Sequence, residues 1–297
     1  MKPQTLYLVD ASIYVFRALY SIPESFHDSK GNLVNGVYGY AGFLVDFLSH
    51  KPEQVSVAFD QSLNTCFRNE IYPLYKANRD QPDENIKYQF DLCREITDIL
   101  GMHHLSLKSY EADDIIGTLA ITYGADCPVS IVTRDKDLGQ LLKPGDTLWD
   151  FAANVHSGPA EVHEKFGVTV SQLADCLALA GDAVDNIPGA TGIGAKTAAK
   201  LLNHFDTLEN LLGNTDRVLE IGIRGADRIR RTLDKQADQL RLFRRITQID
   251  CQMPMPMPMQ LAQLALKKPD IQRIKTFSEK LGFGDRMTQR LCGVAGA

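Results

Sequence analysis

Three short apolar runs, TLYLVD (Thr5 to Asp10), VSVAFD (Val55 to Asp60) and PVSIVTRD (Pro128 to Asp135), each end on an aspartate. Runs of this length, rich in β-branched residues and bounded by polar ones, predict strands. Longer helical patterns separate them, and two further runs, HHLSL (His103 to Leu107) and TLWDF (Thr147 to Phe151), continue the alternation. Strands alternating with helices predict an α/β fold around a mostly parallel sheet. Ligands of open parallel sheets bind beyond the carboxyl ends of the strands, so Asp10, Asp60 and Asp135 are expected on one rim. A single aspartate there would be an ordinary turn starter; three together point to a site.

The stretch SYEADDIIGTLA (Ser109 to Ala120) adds Glu111, Asp113 and Asp114 at the head of an apolar helix. Two unit charges about 4 Å apart repel by roughly 4 kcal/mol near a protein surface, so such a cluster needs a compensating charge. A divalent cation is the simplest one. On that reading, neutralising Asp114 should relieve repulsion in the metal-free protein. Glu111 and Asp114, three residues apart, share a helix face, while Asp113 points about 100° away from Asp114, so the three acids flank two points rather than one. RDKD adds Asp137, and GDAVDNIPG adds Asp182 and Asp185. Nine carboxylates with no His or Cys among them form a hard oxygen set, which selects Mg²⁺ or Mn²⁺ and is large enough for two ions.

The remaining composition narrows the setting. The six cysteines are scattered without a C-x-x-C pair, which argues against a zinc site or a disulfide framework. His27, His103, His104, His156 and His163 show no ligand spacing. No apolar run approaches the roughly 18 residues of a membrane span, so a soluble, cytoplasmic protein is expected. The net charge of −5 conceals a polarity, because residues 1–186 are strongly acidic whereas 187–245 are basic. Metal is expected on the first part and phosphate on the second.

The blocks LVDASIYVFRA, VAFD, FRNEIYPLYKANR, YEADDIIGTLA, TRDKDLGQLL and GDAVDNIPGATGIGAKTAAKLL, in this order, resemble the bacterial 5′ to 3′ exonuclease, the flap endonuclease-like family found at the front of DNA polymerase I. The resemblance spans about residues 5 to 250. It implies a PIN-like 5′ nuclease core over 1–170, an arch at about 66–90, a helical helix-three-turn-helix region over 171–250, and a connector and tail over 251–297. It also implies an active, free-standing monomeric enzyme, nucleoid-associated in use, that hydrolyses DNA at 5′ flaps, 5′ overhangs or nicks with two Mg²⁺ ions. Some free-standing relatives lack the acidic pair matching Asp182 and Asp185, and this chain keeps it.

Carried over residue by residue, the resemblance places Arg17 at the scissile phosphate and the segment Cys66 to Phe90 over a single-stranded 5′ end. Lys76 and Arg79 would hold phosphates there and Tyr75 would stack on a base, the usual grips on single strands. IPGATGIGAKTAAKLL supplies Gly192, Gly194 and Lys196, a turn whose backbone N–H groups approach a phosphate closely. By resemblance this turn clamps duplex DNA and binds K⁺ through main-chain oxygens. Contacts to phosphates imply sequence-independent, salt-sensitive binding. The alternatives are a PIN-type ribonuclease, lacking arch and clamp, and a non-catalytic DNA-structure-binding protein, which would not need nine acids. CQMPMPMPMQ (Cys251 to Gln260) reads as an extended connector, and the tail beyond it has no assigned role.

Overall fold

The computed structural model describes residues 4–61, 66–255 and 260–294. The chain runs through β1 (Leu6–Asp10), α1 (Ala11–Ser21), α2 (Asn35–Leu48), β2 (Gln54–Asp60), α3 (Phe67–Ile71), α4 (Glu84–Ile99), β3 (His103–Leu107) and α5 (Ala112–Tyr123). It continues with β4 (Val129–Val132), β5 (Thr147–Asp150), β6 (Val155–Ser157), α6 (Pro159–Phe166), α7 (Leu173–Ala180), α8 (Ala195–Phe205) and α9 (Leu208–Gly213). Three helices, α10 (Ala226–Thr247), α11 (Ile271–Leu281) and α12 (Gly284–Gly293), complete it.

The six strands are ordered β3-β2-β1-β4-β5-β6, and every pair is parallel except β5 with β6. The expected strands are present; β6, too short to stand out from its turn-rich surroundings, was not anticipated. β1 lies at the centre, where Leu6, Leu8 and Val9 are fully buried. Period-two alternation then sends Leu6 and Leu8 to one face of the sheet and Val9 to the other. Leu6 and Leu8 join a core with α5, α7, α8 and α10. Val9 joins a second core with α1, α2, α4, α11 and α12.

The C-terminal stretch is therefore part of the fold rather than a trailing tail. Of the Met-Pro connector, 256–259 lie outside the described residues; 251–255 and Gln260 are neither helix nor strand. Past it, the Leu266 N–H donates to the Glu53 carbonyl (2.9 Å) and the Lys267 N–H to the Gly101 carbonyl (2.9 Å). Ile274, Phe277, Leu281, Met287 and Leu291 are buried in the core that α2 and α4 share with α11 and α12. Gly101 has φ +80°, and a Cβ there would stand 2.2 Å from the Lys267 carbonyl oxygen. Gly101→Ala is therefore expected to combine backbone strain with a backbone clash and cost on the order of 2 kcal/mol or more, read as a fall in Tm.

Candidate active site

The strand order brings the carboxyl ends of β1, β2 and β4 side by side, with Asp10 and Asp60 as the last residues of β1 and β2 and Asp135 three residues past β4. Asp10 is 4% exposed and accepts a hydrogen bond from the Thr133 hydroxyl (3.0 Å). Burial, with the charges of Asp60 and Asp135 beside it, raises its pKa to about 7. Asp60 is held by the Ser12 hydroxyl (2.7 Å) and the Ala112 N–H (2.8 Å). Asp113, in the first turn of α5, is driven well above the usual carboxylate range by burial and by Asp135 and Asp10.

A second group adjoins the first through Asp135. Its Oδ1 accepts from the Asp137 N–H (2.9 Å), which turns Asp137 inward. Burial and Asp135, with smaller contributions from Asp182 and Asp185, raise Asp137 to about 8. Its Oδ1 is buried without a hydrogen-bond partner among the described residues. Asp182 and Asp185 lie on a loop pinched at its base, where Asp182 and Ile187 exchange two backbone hydrogen bonds of 2.8 Å. Gly181 and Gly189 cross beneath it so closely that a Cβ on Gly189 would stand 2.3 Å from the Gly181 nitrogen.

Two expected residues have other occupations. Asp114 is fully buried, and both its oxygens receive the Arg68 guanidinium, Oδ2 from Nη1 and Oδ1 from Nη2 at 2.7 Å each. Backbone N–H groups of Glu111 (3.1 Å) and Asp250 (2.8 Å) take its remaining capacity. Asp114 is therefore an internal ion-pair partner and not a member of the open rim. Tyr75, expected to stack on a base, is 4% exposed and donates its hydroxyl to Glu111 (2.9 Å) and Asp185 (3.2 Å). Sequence reasoning gave no role to Arg68, although it sits in the quoted FRNE block. Its Nε and Nη2 also donate to the Ile246 and Gln248 carbonyls at 2.9 Å, tying α3 to the end of α10.

Lys76 and Arg79 stand over the rim. Lys76 Nζ lies 2.5 Å from Glu111 Oε1 and 3.9 Å from Asp185, and Arg79 pairs with Asp185 at 2.7 Å. Burial works to raise the pKa of Glu111, but Lys76 and Arg68 outweigh it and hold the carboxyl down at about 2. The segment over 72–79 is also fastened to the 182–187 loop by hydrogen bonds to main-chain carbonyls, from the Lys76 N–H to Asp185 (3.0 Å), the Asn78 side-chain amide to Ala183 (3.1 Å) and the Asn186 side-chain amide to Leu74 (2.7 Å). Arg17 is exposed on α1, one turn beyond Ile13, which lines a rim cavity with Arg79, Asp135, Asp137, Asp182 and Asp185. Gly192, at φ +82°, and Gly194, the N-cap of α8, leave an open turn with Lys196 exposed on the first turn of the helix.

Among the described residues, no three His, Cys, Asp or Glu side chains are arranged to hold a metal ion as they stand. The rim nevertheless fits divalent cations chemically. Its donors are all hard oxygens, one buried carboxylate oxygen lacks a hydrogen-bond partner among the described residues, and burial together with neighbouring carboxylates raises Asp10, Asp113 and Asp137. No helix among the described residues is long and apolar enough to cross a membrane.

Two protein-family models match the chain. The model of the 5′-3′ exonuclease N-terminal resolvase-like domain matches residues 5–167, and that of the 5′-3′ exonuclease C-terminal SAM fold matches residues 168–272. DNA polymerase I of Deinococcus radiodurans is 44% identical over 213 residues, 71% of this chain and 22% of that protein. The thermostable DNA polymerase I of Thermus filiformis is 35% identical over 290 residues, 95% of this chain and 32% of that one. The chain thus spans less than a third of these polymerases. Among solved structures, the T5 5′-exonuclease with bound zinc superposes with a TM-score of 0.64 at 19% identity, covering 98% of this chain and all of that one. Flap endonuclease-1 from Methanococcus jannaschii does so with a TM-score of 0.63 at 15% identity, covering 99% and 92%. At these identities the structures attest the fold alone.

Proposed function

Because the chain belongs to the 5′-3′ exonuclease family, we propose that it is a structure-specific 5′ nuclease that hydrolyses DNA phosphodiester bonds at 5′ ends or 5′-flap junctions. The observation that carries this reading is the buried acid rim at the carboxyl ends of β1, β2 and β4, with the unpartnered Asp137 oxygen inside it and two cations, Lys76 and Arg79, directly above. Two divalent cations at that rim, Mg²⁺ or Mn²⁺, would supply Lewis acidity to the attacking water and to the phosphoryl oxygens. Asp10, Asp60, Asp113, Asp135, Asp137, Asp182 and Asp185 are the residues proposed to hold them, with Glu111 at the edge of the group. Asp10, Asp113 and Asp137 would give up their protons as the cations enter, since each is raised by burial and by neighbouring carboxylates whose charge a cation would offset.

Lys76 and Arg79 are proposed to exchange Glu111 and Asp185 for substrate phosphates, to which both side chains are suited, and Arg17 meets the strand beside them. The Gly192 turn, Gly194 and Lys196 are proposed to grip duplex phosphates, with K⁺ as a further ligand of the turn's main-chain oxygens. The working form is proposed to be a monomer in the bacterial cytoplasm.

The deciding assay uses a labelled 5′-flap DNA in Mg²⁺ and in EDTA, beside a single-stranded RNA. Flap cleavage that needs Mg²⁺ is expected. Cleavage of the RNA in preference to the flap would favour a PIN-type ribonuclease, and tight flap binding without cleavage in Mg²⁺ or Mn²⁺ a non-catalytic binding protein. For the clamp, Lys196→Glu should weaken binding to all DNA sequences alike and lower the slope of log affinity against log salt by about one. A defect confined to particular sequences would contradict the phosphate reading.

A further inference from the structure

The loop that carries Asp182 and Asp185 is closed at its base and held from outside at its tip. The base is fixed by the two hydrogen bonds between Asp182 and Ile187 and by the close crossing of Gly181 and Gly189. At the tip, Ala183 and Val184 are exposed and Asp185 and Asn186 half-buried. A tip with so little buried surface gains little from packing. What fastens it is the segment over 72–79, more than 100 residues earlier in the chain.

Two kinds of link join the segments. The charged kind runs to the Asp185 carboxylate, from Arg79 at 2.7 Å and from Lys76 at 3.9 Å. These are the links that a cation at Asp185 displaces, and that Lys76 and Arg79 give up when they turn to substrate phosphates. The neutral kind runs to main-chain carbonyls: Asn78 Nδ2 donates to Ala183 (3.1 Å), Asn186 Nδ2 to Leu74 (2.7 Å) and the Lys76 N–H to Asp185 (3.0 Å). None of the three uses a carboxylate oxygen, so cation and phosphate leave them intact, and salt does not screen them as it screens an ion pair.

The backbone on both sides is bent to make these bonds. Asn186 has φ +58° and Lys76 φ +53°, the left-handed region that asparagine tolerates and lysine rarely enters. Lys76 is held there from two directions, by its N–H on the Asp185 carbonyl and by its Nζ on Glu111 at 2.5 Å. A third asparagine, Asn69 of α3, donates to the Tyr75 carbonyl (3.0 Å) and anchors the segment to the helix before it. Backbone strain that its surroundings over-determine in this way clusters at functional sites. We propose that Asn78 and Asn186 are positioning residues for the cation site: their amides keep Asp182 and Asp185 at the rim after Lys76 and Arg79 have left for the substrate, so that 72–79 and 182–187 move as one body. The proposal rests on the nuclease reading, and it gives the segment over the rim a second task, building part of the cation site as well as holding phosphates.

The test separates position from charge. Asn186→Asp keeps the side-chain shape and tolerates the left-handed backbone, but it turns a donor into an acceptor that the Leu74 carbonyl repels and adds a negative charge beside the acids. Charge alone predicts tighter cation binding; lost positioning predicts weaker. Asn186→Gly keeps the backbone conformation without amide or charge, and Asn78→Ala removes the other amide from a residue outside the acid set. Mn²⁺ binding to the full chain, followed through the paramagnetic resonance of the free ion, should show the same change in all three variants. The ion that Asp185→Asn removes should bind about three- to ten-fold more weakly for each lost amide, and the other ion as in wild type. On a labelled 5′ flap at limiting Mg²⁺, kcat should fall by a similar factor with KM unchanged and recover in excess Mg²⁺, while Tm in EDTA stays close to wild type, a combination that a merely structural role would not give. Tighter Mn²⁺ binding in Asn186→Asp, wild-type binding in Asn186→Gly and Asn78→Ala, or loss of both ions together with a fall in Tm would each overturn the positioning role. Wild-type protein that neither binds Mn²⁺ nor cuts the flap would overturn the nuclease reading as well, whereas wild-type binding and cleavage with unmoved variants overturns the positioning role alone.

Discussion

Asp114→Asn is expected to lower the stability of the protein by about 3–5 kcal/mol, with or without divalent cations, because it strips a fully buried guanidinium of its charge partner. Arg68 is 3% exposed, and its two ion pairs run to Asp114 at 2.7 Å and Glu111 at 3.0 Å. An asparagine amide can receive one of the two guanidinium N–H groups on its oxygen, but it presents an N–H₂ to the other and carries no charge. Arg68→Met should cost a comparable amount, since it leaves the Asp114 carboxylate buried between backbone N–H groups with its cation gone. Crowding within YEADD, considered by itself, predicts the opposite sign, relief of repulsion and a gain in stability. Melting curves in EDTA and in Mg²⁺ decide between them: a Tm that rises in EDTA would mean that Arg68 does not compensate Asp114.

Asp10→Asn should separate stability from activity in the other direction. Asp10 has a folded-state pKa raised from 3.8 to about 7 by burial and by its acidic neighbours. A raised acid stabilises the fold by holding a proton that the unfolded chain releases; that contribution is complete below the unfolded pKa and disappears as pH rises through the folded one. The metal-free wild type should therefore lose on the order of 2 kcal/mol from this group between about pH 5.5 and pH 8.5. Asp113 and Asp137, raised by burial and by Asp135, act in the same direction. Asp10→Asn, which can still accept from the Thr133 hydroxyl, should flatten the slope and raise Tm at pH 8.5, while reducing flap cleavage by orders of magnitude. Mg²⁺ should reverse the wild-type trend, because a cation binds the deprotonated carboxylates, and at about 100 times its dissociation constant it would add roughly 2.7 kcal/mol. The experiment is Tm against pH in EDTA and in Mg²⁺ for both proteins; a flat wild-type profile that Mg²⁺ does not move would show that the rim neither stores this repulsion nor binds the ion.

The acid rim was legible in the sequence because its geometry is set locally. A strand that ends on an aspartate delivers it to the carboxyl edge whatever lies around it, and parallel neighbours do the same at the same edge. Asp10, Asp60 and Asp135 therefore converge without knowledge of the tertiary fold, and the all-oxygen donor set names the class of cation. The glycine turn at 192–194 was readable for a similar reason, since its open backbone depends on residues adjacent in the chain.

The partners of the acids were not readable. Glu111 and Asp114 look like Asp113 in the sequence, but Arg68 and Lys76 reach them from 43 and 35 residues away, so two of the three carboxylates arrive already neutralised. Tyr75 likewise turns inward only because Glu111 and Asp185 both accept its hydroxyl. The tail is the clearest case. Nothing local tells α11 and α12 which surface to cover; their apolar positions join the core on the Val9, Val55 and Val57 side of the sheet by packing on α4 and α2. Charge at a strand end is a property of the segment, whereas which charge is compensated, and which face is covered, depends on contacts between residues far apart in the chain, and only the tertiary structure decides them.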